Sequence, residues 1–438
     1  MMNVRFLQLI NRAIAVAIAT SFSMPVLAVT IQEAFDNAIK VDPALRSSRY
    51  TQEANKENIT IARSRLLPQI SLQGSTNQLT QTTTQDVPGN SSISKSFTGP
   101  SANHQFVIRQ GLLRKKEISA IKLAELQGQY GEVKYQSDLS ELWLRVAYAW
   151  VDLVGAAQLV VAYEKPLASL HASTKQESAK FIQGDGTKDA QVEAEAQYQF
   201  AKATYLQAEQ TLKARQRTFE LLTQIDIKSL ESKKLNLDPK EVFSEKDREQ
   251  LWKIAREKSF ELRLVQIQQQ LQLERVRMAR ADHLPTLDAL ASWNVARNDA
   301  TSTQGYQYKN NQIGIQYIVP IYAGGAISAA QRQAALTLDA SIADGEAASN
   351  RLDSDFQMLW SAWLGQRARV QAGLKLVESS NEQLRATLFS QMHGVKSVTD
   401  VANAELALSR RLGDQINVVM EYQKYSIRLS RNDLVLDK

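Results

Sequence analysis

The chain has 438 residues with no cysteine, 18 glycines and 9 prolines. The missing thiols exclude disulfides, thiol catalysis and thiolate metal sites, and they remove any lipid-anchor cysteine. The net charge of +6 comes from charges of both signs interspersed along the chain, which favours an ordinary solvated surface over nucleic-acid binding. Few glycines and prolines beside abundant Ala, Gln, Leu, Glu and Arg predict long helices or coiled coils.

The first 28 residues have the form of a secretory signal peptide. Arg5 and Arg12 precede an apolar run too short to cross a bilayer, and the segment ends in Val26-Leu27-Ala28, the small-residue form of a signal peptidase site. We therefore expect the mature chain to begin at Val29 and to leave the cytoplasm.

The remaining sequence repeats itself. Leu67-Pro68 in the first half corresponds to Leu284-Pro285 in the second, and each pair is followed by alternating apolar and polar residues. Gly184 corresponds to Gly394 in the same way. This predicts a first repeat over 29–223, an equatorial linker over 224–250 and a second repeat over 251–438. Each repeat reads as a helix, two strands, a very long helix, a turn and a final helix.

Two strand pairs are predicted, one in each repeat. The strands cover about 69–80 and 103–113, with a polar loop at 81–99, and about 286–297 and 311–322. Apolar and polar residues alternate along them, which is typical of a membrane barrel with a wet lumen. The alternative is an ordinary half-buried antiparallel sheet. The lipid-facing candidates are Phe106, Ile108, Trp293, Val295, Ile315 and Tyr317.

Two helical stretches lack a strong stop signal, from about 113 to 184 and from about 325 to 394, and Pro166 is expected only to kink the first. Val146 to Tyr163 is nearly all apolar apart from Asp152, and we interpret it as a packing stretch rather than a membrane span. After the turn at 184–186, a heptad seam carries Arg215 as its one polar member.

Four strands cannot close a barrel, and a sheet that spans hydrocarbon must close. The smallest membrane barrels have about eight strands, and a shared barrel of about twelve leaves room for an aqueous lumen. A homotrimer contributing four strands per chain follows as a hypothesis.

The chain resembles the TolC family of outer-membrane efflux and type I secretion channels across the predicted mature sequence. The stretches that carry the resemblance are Asp42-Pro43-Ala44-Leu45, Leu67-Pro68-Gln69, His283-Leu284-Pro285-Thr286-Leu287-Asp288, Pro320-Ile321-Tyr322-Ala323-Gly324-Gly325 and Gly394-Val395-Lys396-Ser397-Val398-Thr399-Asp400-Val401. The resemblance implies a mostly α-helical membrane protein whose four strands form a third of a twelve-stranded trimeric barrel, continued by a periplasmic α-helical tunnel. It implies the outer membrane of a Gram-negative bacterium, a periplasmic adaptor protein and an inner-membrane ABC or proton-driven transporter.

The resemblance also implies a periplasmic constriction near the second turn, at 394–396. Two acidic rings would fall on Asp400 and on Asn403, so that the second ring is neutral here. The basic latch residue falls on Lys396, and its aromatic partner position holds Gln391. The alternative for Asp400 is a carboxylate that stabilises a helix N-terminus.

Three glycines at the two turns are the candidate adaptor contacts that the resemblance implies: Gly184, Gly186 and Gly394. Glycine also permits a turn with positive φ between antiparallel helices, and turn geometry alone is the alternative, above all for Gly186.

No catalytic or metal-binding pattern is found in the sequence. The four histidines are scattered, and there is no phosphate loop, nucleophile elbow or dinucleotide fingerprint. We expect no enzyme activity and no cofactor. We expect a passive export duct that is embedded in outer-membrane lipid, with type I protein secretion as its leading function. The alternatives are a multidrug or small-molecule efflux duct and, from another class, a periplasmic coiled-coil scaffold or adhesin.

Overall fold

The computed structural model describes residues 30–430 apart from 87, 90–91, 227–238, 240–241 and 300–305. The predicted signal peptide and most of the predicted linker lie outside the described residues. The helices are α1 (Ile31–Val41), α2 (Pro43–Ser64), α3 (Lys115–Glu164), α4 (Leu167–Gln183), α5 (Lys188–Thr223), α6 (Arg248–Lys258), α7 (Phe260–Ala281), α8 (Ala326–Met392) and α9 (Val398–Ser430). The strands are β1 (Gln69–Gln85), β2 (Ile93–Leu113), β3 (Thr286–Asn298) and β4 (Tyr306–Ile318).

The chain divides into two compact units. The first contains Met1–Pro43, Ser140–Leu251 and Met358–Lys438, and the second contains Ala44–Leu139 and Trp252–Gln357. Each unit therefore takes segments from both of the repeats predicted from sequence. The second unit contains the sheet, and the first contains both helical turns.

The four strands form one antiparallel sheet in the order β1-β2-β3-β4. The first strand pair is longer than predicted, because residues placed in a polar loop continue the ladder. Thr80, Thr82 and Thr84 make side-chain hydrogen bonds of 2.9, 3.1 and 2.8 Å to the Thr or Ser opposite, and β-branched threonine favours extended backbone. In the second pair, β4 ends at Ile318 rather than near 322, since Pro320 cannot donate to a ladder.

The first long helix is broken, not merely kinked, at Pro166. The helix α3 ends at Glu164 and α4 begins at Leu167, because proline has no N–H to donate to the carbonyl of Ala162. That carbonyl instead accepts a 2.7 Å hydrogen bond from the Ser409 hydroxyl of α9. The first helix of the first repeat, predicted as a single helix, is likewise interrupted at Asp42, whose extended backbone is the conformation favoured before Pro43. In contrast, α8 runs unbroken over 67 residues.

The stretch Lys115–Gln183, which comprises α3 and α4, contains the one window in the described part of the chain that is long and apolar enough to cross a bilayer. Core helices of soluble domains meet the same criterion. Val154 and Ala162 pack here against Ile416 of α9, so this part of the apolar surface is protein core.

The two polar residues that interrupt apolar patterns in the sequence meet in the first unit. Asp152 of α3 lies 3.4 Å from Arg215 of α5 and 2.7 Å from the Lys424 ammonium of α9. Burial alone would lower the pKa of Lys424, but the hydrogen bonds and charges of Asp152 and Glu421 together outweigh it, so the net shift is upward. The ion pairs therefore tie three helices together.

An aromatic cluster forms part of the core of the first unit. Trp363 is fully buried, with its ring centroid 5.1 Å from that of Trp360 and 6.1 Å from that of Tyr422. Its indole N–H donates a 3.0 Å hydrogen bond to the buried Ser426 hydroxyl.

We expect Ser426→Ala to destabilise this core by about 1–3 kcal/mol, because the buried indole N–H loses its acceptor. The thermal midpoint followed by circular dichroism checks this. Ser430→Ala is the control, since within the described chain the Ser430 hydroxyl bonds only to the carbonyl of Ser426 on its own helix. Equal midpoints for the two variants would contradict the assignment.

Candidate functional site: sheet face and helical turns

The strand register brings all six predicted lipid-facing residues to one face of the sheet. Directly paired residues of antiparallel strands point to the same side, and the register pairs Phe106 with Trp293 and places Ile108 opposite Ala291. The pairs Ala289 with Ile315 and Leu287 with Tyr317 continue the face onto β4. We call this side of the sheet the outward face.

The outward face is apolar and uncovered in the single chain. Ile313, Ile315 and Tyr317 are 82%, 67% and 74% exposed, and Ile70 and Leu72 on β1 are exposed as well. Phe106 and Trp293 contact each other across the strands, with ring centroids 5.6 Å apart. A contiguous exposed surface of this kind marks a membrane or protein contact.

The opposite face of the sheet is polar. It carries Gln73 and Gln105 in one cross-strand pair and Ser292 and Gln312 in another. Near the helical end, Arg109 and Arg114 both bind the carboxylate of Asp288, with N–O distances of 2.6–2.9 Å, and the Asp288 side chain is only 3% exposed. Arg114 immediately precedes α3, so this cluster joins β2, β3 and the start of a long helix.

The outer strands of the described sheet are β1 and β4, and no further strand of the described chain pairs with either. Unpaired backbone N–H and C=O groups cannot be left in hydrocarbon, because nothing there can bind them. A bilayer location therefore requires strands from other chains at both edges.

The two helical turns have the same construction. Gly184 and Gly394 have φ of 82° and 75°, a left-handed conformation that glycine adopts without strain. In each turn the next residue donates its N–H to a carbonyl five positions earlier, as Asp185 does to Lys180 at 2.9 Å and Val395 does to Ser390 at 2.9 Å. These are Schellman motifs, and a Thr or Ser three residues after the glycine caps the N-terminus of the next helix.

Gly186 has a different requirement from the other two glycines. A Cβ at this position would lie 2.9 Å from the Cβ of Lys180 and 3.1 Å from the backbone nitrogen of Phe181. Close approach of the chain to the end of α4, rather than a positive φ, explains glycine here.

We expect Gly394→Ala to cost about 1–2 kcal/mol, because an L side chain is strained at this φ. Gly365→Ala is a matched control on α8, where no neighbour lies within 4 Å of the added Cβ and alanine favours the helix. Thermal midpoints of the two variants should move in opposite directions. A Gly394→Ala protein as stable as the wild type would contradict the requirement for glycine.

Asp400 is the third residue of α9, and it forms a capping box with Ser397. Its carboxylate accepts hydrogen bonds of 2.8 Å from both the backbone N–H and the hydroxyl of Ser397, whose oxygen accepts the Asp400 N–H at 3.1 Å. The Ser397 backbone bond, followed by the hydroxyl bond, holds the pKa of Asp400 below its ordinary value. The cap interpretation thus has direct geometric support, and the carboxylate remains ionised and partly exposed.

The other predicted constriction residues lie around Asp400. The Lys396 ammonium is 3.8 Å from the Asp400 carboxylate, and both side chains are about half exposed, so this ion pair is weak. Asn403 is exposed one helical turn further along. Gln391 is half-buried in the last turn of α8, where its carbonyl accepts the N–H of Gly394.

Sequence reasoning missed a polar cluster that joins α4 to α9 beside the turns. The Thr399 hydroxyl donates a 3.0 Å hydrogen bond to the carboxylate of Glu177, which also accepts 2.8 Å from Lys180. The Ser173 hydroxyl donates to Thr399 at 3.0 Å. Leu170, Ser173 and Glu177 stand at helical spacing in the sequence, but only the structure shows that they form the buried face of α4.

The bonds to Lys180 and then to Thr399 outweigh burial and hold the pKa of Glu177 below its ordinary value. The carboxylate is therefore charged at neutral pH although it is nearly buried.

Comparisons with known proteins agree with this geometry. The family profile described as "Outer membrane efflux protein" matches residues 251–432. The "Proteases secretion protein PrtF" of Dickeya chrysanthemi is 22% identical over 86% of this chain and 82% of its own length. The "Outer membrane protein TolC" of Vibrio cholerae is 26% identical over 90% of this chain and 87% of its own length.

Solved structures show the same fold. The Campylobacter jejuni CmeC outer membrane channel superimposes with a TM-score of 0.73 at 16% identity, covering 92% of this chain and 85% of CmeC. The Vibrio cholerae outer membrane protein VceC gives a TM-score of 0.70 at 12% identity, covering 92% of this chain and 95% of VceC.

Proposed function

We propose, from the premise that this chain belongs to the TolC family of outer membrane efflux proteins, that three copies form a duct for type I protein secretion. The family consists of outer-membrane channels that extend into the periplasm. The duct would conduct its cargo passively, with energy supplied by an inner-membrane transporter reached through a periplasmic adaptor protein.

One observation carries the proposal of a shared barrel. The sheet has an exposed apolar face, a polar opposite face and two outer edges without a partner strand in the described chain. Three copies would satisfy the edges by pairing β4 of one chain with β1 of the next, and the polar faces would line a wet lumen. A periplasmic scaffold would leave the apolar face in water at a large cost.

The turns support an adaptor contact. Exposed apolar side chains surround both tips, namely Ile182 and Val192 at the first and Met392 and Val395 at the second. Exposed apolar groups clustered beside rigid turns are typical of a protein contact surface. Gly184, Gly186 and Gly394 would shape these tips rather than supply binding energy.

Type I secretion is favoured over small-molecule efflux by two relatives. The names of PrtF and of the "Alkaline protease secretion protein AprF" of Pseudomonas aeruginosa, which is 23% identical over 94% of this chain, describe protease secretion. The family description names efflux, which supports the small-molecule alternative.

The duct is tested by single-channel recording from purified protein in planar bilayers. We expect a heat-modifiable trimer that conducts, and that conducts more when Asp400 is replaced by alanine. A trimer that never conducts, with or without Asp400, would overturn the proposal.

The cargo is tested by deleting the gene and complementing it. Loss of secreted protein with unchanged drug susceptibility supports type I secretion. Increased drug susceptibility with normal secreted protein contradicts it and supports the small-molecule alternative.

A further inference from the structure

The outward face of the sheet changes from apolar to basic within two rows of residues. The apolar rows are Leu287 with Tyr317, Ala289 with Ile315, Ala291 with Ile313, and Phe106 with Trp293. In the next row, His104, Val295 and Lys309 are neighbours, and the row after that contains Arg297 opposite Gln307. Lys309 and Arg297 are therefore diagonal neighbours on adjacent strands.

Both cations are accessible. Lys309 is exposed, and no ion pair of Lys309 is formed within the described chain. Arg297 has a side chain that is 65% exposed, and its guanidinium binds Asp299 at 2.9 Å. Among the described residues these paired rows carry no acidic side chain, and Asp299 follows the end of β3. With Asp299 beside it, the patch formed by His104, Arg297 and Lys309 therefore keeps a net positive charge.

The patch lies at the end of the sheet opposite the helices. β3 follows α7 at Thr286 and β4 leads to α8 after Ile318, so Arg297 and Lys309 are at the far end of both strands. With the helices in the periplasm, this end faces the outer leaflet. The apolar rows from Leu287 to Val295 span about 20 Å at ordinary strand rise and barrel tilt, close to the height of an outer-membrane apolar band. The patch therefore falls at headgroup level.

The rest of the outward face at this level is neutral. On β1 and β2 it carries Gly74 opposite His104 and Thr76 opposite Ala102. The positive charge is thus confined to the β3–β4 side of each chain. Beside it, the indole of Trp293 has the amphipathic character that suits the edge of a bilayer.

We propose that Lys309 and Arg297, with His104 beside them, bind phosphate groups on the headgroups of outer-leaflet lipids. This inference rests on the proposed function, because it takes the sheet to be part of a membrane barrel. Ammonium and guanidinium groups form charge-assisted hydrogen bonds with phosphate, and the apolar rows below them would hold the acyl chains of the same lipid. A trimer would carry three such patches.

The test is native mass spectrometry of the detergent-purified trimer titrated with diphosphorylated lipid A. We expect the double variant Lys309→Gln with Arg297→Gln to bind this lipid about twentyfold more weakly than the wild type, since two cations are lost. Lys309→Arg should retain binding. Asp299→Asn should strengthen it, because Arg297 then loses its competing partner.

The matched control is Lys95→Gln, which removes an exposed lysine from the opposite face of the same sheet. Unchanged binding in the double variant, or an equal loss in Lys95→Gln, would overturn the inference. Conductance of the same preparations separates the two proposals. If the variants form conducting trimers but bind the lipid normally, the lipid site alone is wrong, whereas absence of any conducting trimer in the wild type removes the proposed duct.

Discussion

Ile313→Lys should abolish assembly in the outer membrane, whereas Gln312→Lys on the same strand should be tolerated. Ile313 lies in the middle of the apolar rows and is 82% exposed on the outward face, while Gln312 belongs to the polar face. A lysine facing lipid near the bilayer midplane costs about 2–4 kcal/mol per chain, or roughly 6–12 kcal/mol in the barrel that three chains form.

The measurement compares the heat-modifiable trimer in outer-membrane fractions for the two variants. We expect the trimer band to be lost for Ile313→Lys and retained for Gln312→Lys, where the added ammonium enters a wet lumen. Because adjacent residues are exchanged for the same side chain, helix content and net charge do not distinguish the variants. Equal amounts of trimer for both would show that the outward face does not contact lipid.

The existence of the sheet and the orientation of its residues could be predicted from sequence, because strand alternation has a fixed period of two. Alternation along each strand is enough to assign Trp293, Val295, Ile315 and Tyr317 to the apolar side, without knowledge of the register. The register itself adds the rows, and these place Lys309 beside Arg297, a neighbour relation that spacing along one strand cannot give.

The strand ends could not be predicted well. Thr82 and Thr84 look like loop residues in a polar, hydroxyl-rich segment, and their place in a strand depends on Ser96 and Ser94 across the hairpin. These partners are ten or more residues apart along the hairpin, so the composition of either segment alone does not reveal the pairing.

The helical breaks and polar contacts show the same limit. Pro166 signals a disturbance, but whether the helix bends or ends depends on the Ser409 hydroxyl that satisfies the carbonyl of Ala162. Asp152 and Arg215 each stand out within an apolar pattern, yet only the fold shows that they are partners. The resemblance alone assigns the constriction residues, and their roles stay predictions. These residues are Asp400, Asn403, Lys396 and Gln391.

Glu177→Gln combined with Thr399→Val, which removes the polar cluster at the turns, should favour the open duct. If opening separates α4 from α9, the closed state alone contains the bond from Thr399 to the Glu177 carboxylate. A hydrogen bond to a charged group contributes about 1.5–3 kcal/mol. Loss of this bond in all three chains would therefore reduce the free energy that stabilises the closed state by roughly 5–9 kcal/mol. A change of that size can convert a mostly closed channel into a mostly open one.

The pH dependence of opening gives an independent readout. The Lys180 bond first, and then the Thr399 bond, hold the pKa of Glu177 below its ordinary value of 4.5. A lowered pKa means that the link has full strength above that ordinary value and weakens as the pH falls through the lowered one. Asp400 loses its charge in the same acid range, since Ser397 also lowers its pKa.

Single-channel conductance from neutral to acid pH therefore should rise on the acid side in the wild type. The double variant should conduct strongly at neutral pH and keep only the part of the acid response that Asp400 supplies. Thr387→Val is the control, because among the described residues the Thr387 hydroxyl bonds only to the Gln383 carbonyl of its own helix. A double variant as closed as Thr387→Val at neutral pH would mean that the contact between α4 and α9 at Thr399 does not restrain opening, and that closure depends on other residues of the turns.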